Sequence, residues 1–600
     1  MKILIEEHLY QAKDIEEVID GITTLRDING KIAVNHVGYY YNSKLKDCVF
    51  ILPKVILGNV KDEELVFGQY KPEEIISFES QKKLTPTEYE FIYELSVWIY
   101  HAISLYHDTH SKSNIVLQQN VQQMSKGKMR LKHNTFLDIL LAIQEFNREN
   151  QNFFFFILRN IHSGHNKINW NRTISTTNAI IQDQNPIYLN PVNKKRQINF
   201  DEELLVIFFS ILNYINKHYG FPATINVNFP LITDHKFEHY LNGFGKKRLL
   251  NIKHKYFTDK HLYLWELCYA FFDKSKEINI DINKHEYLLV KNFNIVFEDM
   301  IDTLISDKNI PTELKEQKDG KIVDHIYKDQ SIIEDNNDIY FIGDSKYYKE
   351  TTQPSENSIY KQFTYAKNVI QYNINLFNNE PNNNSSCRYR DPLTEGYSIT
   401  PNFFIRGKID FDNPKNQKQK IEKDETFKQH NEHFFNRLFD RDTLFLQSYG
   451  INFMFVIASY VHNSDEITLK NSLRKMFRNN FIEFIENKFQ FYVLEPRKGI
   501  ILTNAVERHF KKLIGKIYQP NNYSNLLIMA LDKDAKYQME NLSLVSNIRQ
   551  DFHIYEYHLG ADPKEVLKTN PYSNPMAAEP QESDVQSNPV EEFEYRSSDD

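Results

Sequence analysis

Cysteine is scarce in this chain, and its scarcity argues against a fold held together by disulfide bonds and against a zinc ribbon. Three cysteines occur among 600 residues, Cys48, Cys268 and Cys387, and no CxxC pair is present. A disulfide framework needs paired thiols and a zinc ribbon needs closely spaced ones, so neither is supported. The pattern fits a reducing compartment, and we expect a cytoplasmic protein.

Long apolar runs are also lacking. The longest, at 153–158 and 204–212, fall far short of the roughly 20 residues that cross a bilayer. The first ten residues carry acidic side chains, whereas a signal peptide would begin with basic ones. The sequence therefore predicts a protein with neither a membrane span nor a leader.

Glycine-rich phosphate loops are missing as well. Neither GxxxxGK followed by Ser or Thr nor GxGxxG occurs. These loops cradle phosphates with backbone amides at the start of a helix, so the chain is not expected to hydrolyse a nucleotide through a P-loop or to hold a dinucleotide.

A strong basic charge is absent too, since the net charge is -8. The last 24 residues, 577–600, hold eight acids and one arginine, which is -7, so the remainder of the chain carries about -1. Basic stretches with apolar neighbours occur at 126–132, 246–255 and 508–516. Solvated helix faces explain most such stretches, but phosphate contact is the alternative, so the global charge does not exclude a nucleic-acid partner.

The composition changes along the chain and predicts several regions. Residues 1–85 read as short strands broken by turn residues, a mostly β region for recognition or partner docking. Residues 86–285 show helical spacing of apolar side chains. Residues 286–567 alternate between helix and strand, which indicates a mixed α/β domain, with a polar insertion at 378–431 read as an excursion from its sheet. Residues 568–600 have the composition of a disordered acidic tail.

Within the α/β domain the expected order is helix 286–306, strand 321–327, strand 338–346, helix 358–377 and strand 451–461. Asp344 and Lys346 are two apart on the second strand, so they project from the same face. If the two strands pair, Asp324 on the first can converge with Asp344 on one hard cation. Mg²⁺ commonly takes one or two carboxylates together with phosphate and water.

Such a site suits hydrolysis of a phosphodiester bond. The metal polarises the phosphoryl oxygen and lowers the pKa of bound water, and the ammonium of Lys346 orients the water and offsets developing negative charge. Asp-x-Lys alone is a weak signal, because it recurs at Asp234, Asp319 and Asp534. The copy at Asp344 differs because it lies at the end of an apolar strand and because the strand upstream of it also carries an acid.

Other readings of these residues stay open at this point. Asp324 depends on the placement of its strand, and Asp329 or Glu334 is the next candidate. The alternative for all of these acids and for Lys346 is that they are ordinary exposed charges at the ends of strands.

The order of these elements resembles the core of PD-(D/E)xK nucleases, and the details resemble the McrC/LlaJI group of restriction endonuclease subunits. The residues that carry the resemblance are Phe297-Glu298, Asp324, the Asp344 to Tyr347 strand end, and Gln362 with Tyr365. Valine precedes Asp324 where the pattern has proline. The resemblance implies metal binding by Asp324, Asp344 and Ser345, a catalytic Lys346, and supporting roles for Glu298 and Gln362.

The resemblance further implies a Mg²⁺-dependent DNA endonuclease subunit of a restriction, phage-defence system, working with a separate AAA+ GTPase that the N-terminal region would dock. One alternative is a stand-alone nuclease of the same fold in DNA repair or mobile-element processing. Another is a non-catalytic DNA-binding subunit that stimulates a motor.

Overall fold

A computed structural model describes residues 1–19, 25–28, 30–61, 63–76, 84–111, 113–119, 135–151, 158–159, 167–193, 197–198, 200, 202–280, 286–316, 322–334, 338–349, 352–379, 387–424, 427, 430–432, 436–462, 466–569 and 571. The predicted disordered tail therefore lies, from residue 572 onward, outside the described residues.

The helices and strands alternate through most of the chain. The helices are α1 Ala12–Ile15, α2 Pro86–Thr109, α3 Phe136–Glu149, α4 Trp170–Thr176, α5 Glu203–Tyr214, α6 Asp234–His239, α7 Gly245–Ile252, α8 Asp259–Ile280, α9 Phe293–Ile305, α10 Thr312–Lys315, α11 Glu356–Asn379, α12 Phe453–His462, α13 Glu466–Lys488, α14 Leu502–Leu513, α15 Gln538–Ile548 and α16 Pro563–Val566.

The strands are β1 Lys2–Ile5, β2 Tyr10–Gln11, β3 Leu25–Ile28, β4 Lys31–Val34, β5 His36–Asn42, β6 Asp47–Leu52, β7 Leu57–Val60, β8 Glu63–Val66, β9 Val116–Gln119, β10 Leu158–Arg159, β11 Ile180–Gln182, β12 Asn185–Ile187, β13 Gln197–Ile198, β14 Glu286–Lys291, β15 His325–Gln330, β16 Asp338–Lys346, β17 Asn402–Lys408, β18 Ile421–Lys423, β19 His430–Glu432, β20 Leu444–Asn452, β21 Phe489–Pro496, β22 Ile517–Tyr518, β23 Leu527–Asp532 and β24 Phe552–Tyr557. The chain is thus of mixed α/β class, as expected.

The N-terminal sheet has the order β1-β6-β5-β14-β9. Every residue of β5 is buried, because helix α2 packs on one face of this sheet and a smaller apolar core that includes Tyr10 and Val34 covers the other. Strand β14 lies between β5 and β9 and pairs antiparallel with both. The sequence predicted a helix from 286, and this is wrong for 286–291: the apolar run of β14 continues into a helix that begins only at Phe293. The N-terminal unit therefore needs residues beyond the predicted boundary at 285.

The central sheet has the order β15-β16-β17-β20-β18, and β19 also pairs with β20. Strands β16, β17 and β20 are parallel, and β15 is antiparallel to β16. Helix α9 packs on β15 and β16, and helix α11 packs on β16, β17 and β20. Strand β16 is thus an interior strand, and its last three residues, 344–346, pair with β17 alone.

Two predictions about this sheet are wrong. The composition of 378–431 predicts a polar excursion from the sheet, but β17 lies inside this stretch and is a central strand. Its buried apolar residues are few and are flanked by long polar segments, which hide them from composition. The predicted strand 451–461 is mostly helix α12, and the strand β20 ends at Asn452. A continuous apolar run of this kind fits either a buried strand or a buried helix.

The C-terminal sheet, β22-β23-β21-β24, is antiparallel and packs with α14 and α15 around a second apolar core. The larger core is continuous from the N-terminal sheet through the helices to the central sheet. Within the described ranges, no helix combines the length and apolar character required to traverse a bilayer.

Candidate active site

The candidate site lies at the carboxyl end of β16. Successive side chains of a strand point to opposite faces, so Asp344 and Lys346 share one face and Ser345 faces the other way. Lys346 Nζ forms an ion pair with Asp344 Oδ2, and the two side chains are 14% and 11% exposed. The ammonium also lies 5.1 Å from the centre of the Phe404 ring on β17. The pair is therefore largely, but not completely, shielded from solvent.

Asp324 lies immediately before β15. His325 pairs with Gly343, so the antiparallel register sets Asp324 opposite Asp344. Burial, the charges of Asp344 and Glu298 and a hydrogen bond with Asp344 together raise the pKa of Asp324 well above its ordinary value. The predicted convergence of these two carboxyl groups is present in the structure.

The charge on Lys346 is maintained by these acids. Burial by itself lowers the pKa of Lys346, but the charge of Asp344, its hydrogen bond and the charge of Asp324 outweigh burial, and the pKa is raised. Lys346 therefore remains an ammonium at neutral pH, which is the form that its predicted role requires.

Glu298 reaches the same place from helix α9. Burial raises the pKa of Glu298, and the nearby charge of Asp344 adds to the rise, whereas Lys346 and Lys361 oppose it. Asn294 Nδ2, one turn earlier on α9, donates a hydrogen bond to Glu298 Oε1 at 3.3 Å. Glu298 thus forms part of the same electrostatic cluster as the two aspartates.

Gln362 makes its hydrogen bonds with Asn402, outside this cluster of acids. Its Nε2 donates to Asn402 Oδ1 at 2.7 Å, and both side chains are buried. Asn402 is the first residue of β17 and pairs with Ile342 of β16. Gln362 therefore connects α11 to the strand beside the site, which is a supporting contact and not a contact with the acids.

Ser345 is placed away from the acids. Its Oγ lies 2.6 Å from His325 Nε2, and His325 Nδ1 lies 3.2 Å from Asp302 Oδ1. Burial lowers the pKa of His325, and an ionised carboxylate only accepts, so Nδ1 donates to Asp302 and Nε2 accepts from the serine hydroxyl. The Ser345 side chain is thus engaged in a buried network on the opposite face of β16 from Asp344 and Lys346.

Two alternatives to Asp324 lie elsewhere. Asp329 pairs with Ile339 near the opposite end of β16. Glu334 accepts hydrogen bonds from Tyr518 Oη at 3.0 Å and from the Asn521 amide at 2.8 Å, which connects it to the C-terminal region. Neither is near Asp344 in the paired strands, so Asp324 is the acid that the fold brings to the site.

The sequence did not reveal the contact between Tyr347 and the N-terminal strand. Tyr347 Oη donates to Glu6 Oε2, and the backbone amide of Lys54 donates to Tyr347 Oη at 3.1 Å. The rings of Phe293 and Phe297 on α9 pack against Tyr347. No local pattern signals this contact, because Glu6 and Lys54 are 341 and 293 residues from Tyr347 in sequence.

A divalent cation fits the donors only in part. Asp344 Oδ2 is buried and accepts no hydrogen bond of normal geometry from the described residues, its partner being the Lys346 ammonium. In the part of the chain that the structure describes, no group of three or more His, Cys, Asp or Glu side chains is placed to hold a metal ion. Two carboxylates are nevertheless a sufficient protein contribution for Mg²⁺, which usually keeps several waters.

Comparison of the chain with protein-family models, with curated proteins and with solved structures returns no match in any of the three.

Proposed function

We propose that this protein is a Mg²⁺-dependent DNA endonuclease with a PD-(D/E)xK-type core, similar to the McrC/LlaJI restriction subunits. The observation that carries the proposal is the convergence of Asp324, Asp344 and Lys346 at the carboxyl end of β16. A mixed sheet with a helix before it and a helix after its second strand supports the same proposal.

Each group has a definable task in phosphodiester hydrolysis. Asp324 and Asp344 would hold Mg²⁺, which polarises the phosphoryl oxygen and makes bound water more acidic. In addition to burial, the negative charges of Asp344 and Glu298 raise the pKa of Asp324, and a bound cation would relieve this repulsion. Lys346, kept protonated by Asp344, orients the attacking water and offsets the negative charge that develops in the transition state.

The Lys346 ammonium also forms an ion pair with Asp344, so it would partly offset the charge of that carboxylate in addition to its task in the transition state. Glu298 lies in the same field, and its raised pKa suits it to share a proton with a water near the acids.

The proposal includes a partner. The chain has no P-loop, and the group that it resembles works with a separate AAA+ GTPase. We expect the N-terminal region to dock such a ring and to stimulate its GTP turnover. Cleavage that needs no motor would favour the stand-alone nuclease.

The first test compares Asp344→Asn with Asp338→Asn in the full chain. Asp338 is at the start of the same strand, where it lies 3.5 Å from Lys328 Nζ, so it is a matched acid remote from the site. We expect Asp344→Asn to lower Mg²⁺-dependent cleavage of plasmid DNA by about 100-fold or more, and Asp338→Asn to retain it. Asparagine is chosen because alanine would leave the Lys346 ammonium without a neighbour of similar shape.

Lys346→Ala should lower the cleavage rate by about 100-fold at saturating DNA with little change in DNA affinity, since its task is in the transition state. A loss of affinity with an unchanged rate would make Lys346 a phosphate contact. Full activity of Asp344→Asn, or cleavage that chelation of divalent cations leaves unchanged, would overturn the nuclease proposal.

A further inference from the structure

A basic cavity lies in the C-terminal region, away from the candidate active site. It has a volume of about 480 Å³ and lies between α14, α15 and the loop that precedes β20. Its charged lining consists of Arg437, Lys511, Lys512, Lys516 and Glu540. Four cations therefore face one anion across an open concave surface.

Most of this positive charge is uncompensated. The buried Lys516 ammonium pairs with Glu540. The side chains of Arg437, Lys511 and Lys512 form no ion pair with any residue that the structure describes. A neighbouring cation on α14 is paired with an acid, because Arg508 forms an ion pair with Asp551 at 2.6 Å. Three unpaired cations lining one cavity repel one another, and a bound anion would relieve that repulsion.

Helix α14 supplies two of the cations through its amphipathic pattern. Leu502, Ala505, Val506 and Leu513 are buried against the C-terminal sheet. Lys511 and Lys512 are exposed in the last turn of the helix, where positive charge also interacts favourably with the helix dipole. The burial of one face thus determines that the lysines point outward.

Arg437 is brought to the cavity by a close backbone contact. Gly515, just after α14, has a φ of +71°, and a Cβ atom there would lie 2.9 Å from Arg437 Cβ. The Phe439 amide donates to the Gly515 carbonyl at 2.8 Å. A residue with a side chain at 515 would be strained in this conformation and would displace Arg437.

The cavity is remote from the acids of β16. Asp344 is level with Phe404 and, across β17, with Ser448 of β20. Leu444, where β20 begins, is four residues earlier, about 13 Å along the strand, and the cavity loop precedes it. A ligand in the cavity therefore does not reach the group that the acids would act on.

We propose that this cavity binds a backbone phosphate of duplex DNA outside the cleavage position. Its lining has cations from two chain segments, Arg437 before β20 and the lysines within 511–516, but no aromatic side chain on which a base could stack. Phosphate contacts of this kind position a protein on DNA without reading sequence. The identity of the ligand as DNA rests on the proposed nuclease function, but binding is measured without cleavage.

The test is binding of the full chain to a labelled duplex, followed by fluorescence anisotropy with a chelator present, over a range of salt concentrations. The Lys511→Ala, Lys512→Ala double variant is compared with Lys475→Ala, Lys498→Ala. The control pair removes two lysines that are likewise exposed but lie outside the cavity. We expect the cavity variant to bind about tenfold more weakly at ~0.1 M salt and to lower the slope of log K against log salt by about two. The control should bind like the parent protein.

Three outcomes decide the matter. Lysine-to-arginine replacement at both cavity positions should restore binding, because the charge is kept. Equal losses in the cavity and control variants would overturn the proposal, since they would reflect overall charge alone. Saturable binding of ATP, GTP or inorganic phosphate that the cavity variant loses, with duplex binding intact, would make this a small-anion site and also overturn it.

These results are separable from the nuclease proposal. A protein that binds duplex through the cavity but shows no Mg²⁺-dependent cleavage would contradict only the assignment of the β16 acids. A protein that cleaves normally while the cavity variant binds as the parent does would contradict only the cavity.

Discussion

Glu6 is an acid whose environment couples the N-terminal strand to the site strand. It is 4% exposed, and its Oε2 accepts from the Tyr347 hydroxyl and, at 3.3 Å, from the Lys54 amide. Burial raises the pKa of Glu6 to about 7, although the hydrogen bond from Tyr347 and the charge of Lys54 oppose the rise. Its protonation state therefore changes near neutral pH, in contact with Tyr347, the residue that follows Lys346.

We predict that Glu6→Gln removes part of the pH dependence of stability. Because the folded protein holds this proton more tightly than the unfolded chain, the stabilisation is fully present below about pH 4.5 and is lost as the pH rises through 7. Glutamine keeps an acceptor for Tyr347 without the ionisation. Between pH 5.5 and 8.5 the free energy of unfolding of the parent should fall, relative to the variant, by on the order of 2 kcal/mol.

Urea unfolding at pH 5.5, 7 and 8.5 measures this difference. Glu7→Gln is the matched control, because Glu7 is an adjacent acid that is largely exposed and pairs with Lys54 Nζ at 2.8 Å. Parallel pH profiles for the parent and Glu6→Gln would show that the buried carboxyl does not titrate between these values.

At the scale of elements, the helix α11 and the strand β17 are joined by a buried amide pair. Gln362 Nε2 donates to Asn402 Oδ1, and Asn402 Nδ2 donates to the Gln362 carbonyl at 3.4 Å. Because β17 pairs directly with β16 at Asp344, a shift of β17 would displace the site strand. Gln362 is therefore a positioning residue for the acids.

We predict that Gln362→Ala and Asn402→Ala each lower the free energy of unfolding by about 1–3 kcal/mol, since each leaves a buried polar partner unsatisfied. The double variant should cost less than the sum, because both single changes remove the same contact. Cleavage at saturating DNA should fall in step, with little change in binding.

Denaturant unfolding together with single-turnover cleavage tests this cycle. Thr364→Ala on the same helix is the control, because its hydroxyl donates only to the Tyr360 carbonyl one turn earlier. Strict additivity of the two single changes would separate Gln362 from Asn402 and would leave Gln362 free for a direct role.

Sequence patterns identified some elements better than others, for a physical reason. Strand β16 occupies the range predicted, 338–346, because a short apolar run bounded by polar residues is a local property of the chain. The sequence does not predict strand β17, since its central position depends on β16 and β20, whose paired residues are 60 and 44 residues away in sequence. The sequence predicts a strand where the structure has helix α12, because both β20 and α12 are largely buried. Burial on all sides removes the apolar periodicity that distinguishes a strand from a helix.

At the scale of the whole molecule, the charge is concentrated at one end. Removing 577–600 takes away -7 of a net -8. We predict that deletion from Ala577 leaves cleavage unchanged and strengthens non-specific DNA binding, because the remaining chain repels phosphate less. The effect should be largest at low salt, where electrostatic interactions are screened least.

Anisotropy titrations of the parent and the deletion over a range of salt concentrations measure this change. A full-length variant with the eight acids replaced by their amides is the matched control, since it keeps the length and removes the charge. Loss of folding on deletion would show that the segment is part of the packed structure, and unaltered binding in both proteins would exclude an electrostatic effect.

At the scale of the whole molecule, the N-terminal unit extends beyond the predicted boundary at residue 285, because β14 pairs within its sheet. A fragment ending at residue 285 would lack β14 and leave the edges of β5 and β9 unpaired. Glu6, Lys54 and Tyr347 further join the N-terminal sheet to the site strand. A partner that docks on the N-terminal region would therefore act on a surface continuous with the candidate site, which makes the full chain the suitable protein for partner assays.

The sequence by itself determined the class of the chain, the strand that carries Asp344 and Lys346, and the shared face of those two residues. These depend on spacing along a strand, which is a local property. Only the tertiary structure decided that Asp324 stands opposite Asp344, that Ser345 turns toward His325, that β17 enters the sheet, and that Arg437 joins the lysines of α14. Each of these depends on contacts between distant segments, whose register and packing are determined by burial in a common core and not by the pattern of any one segment.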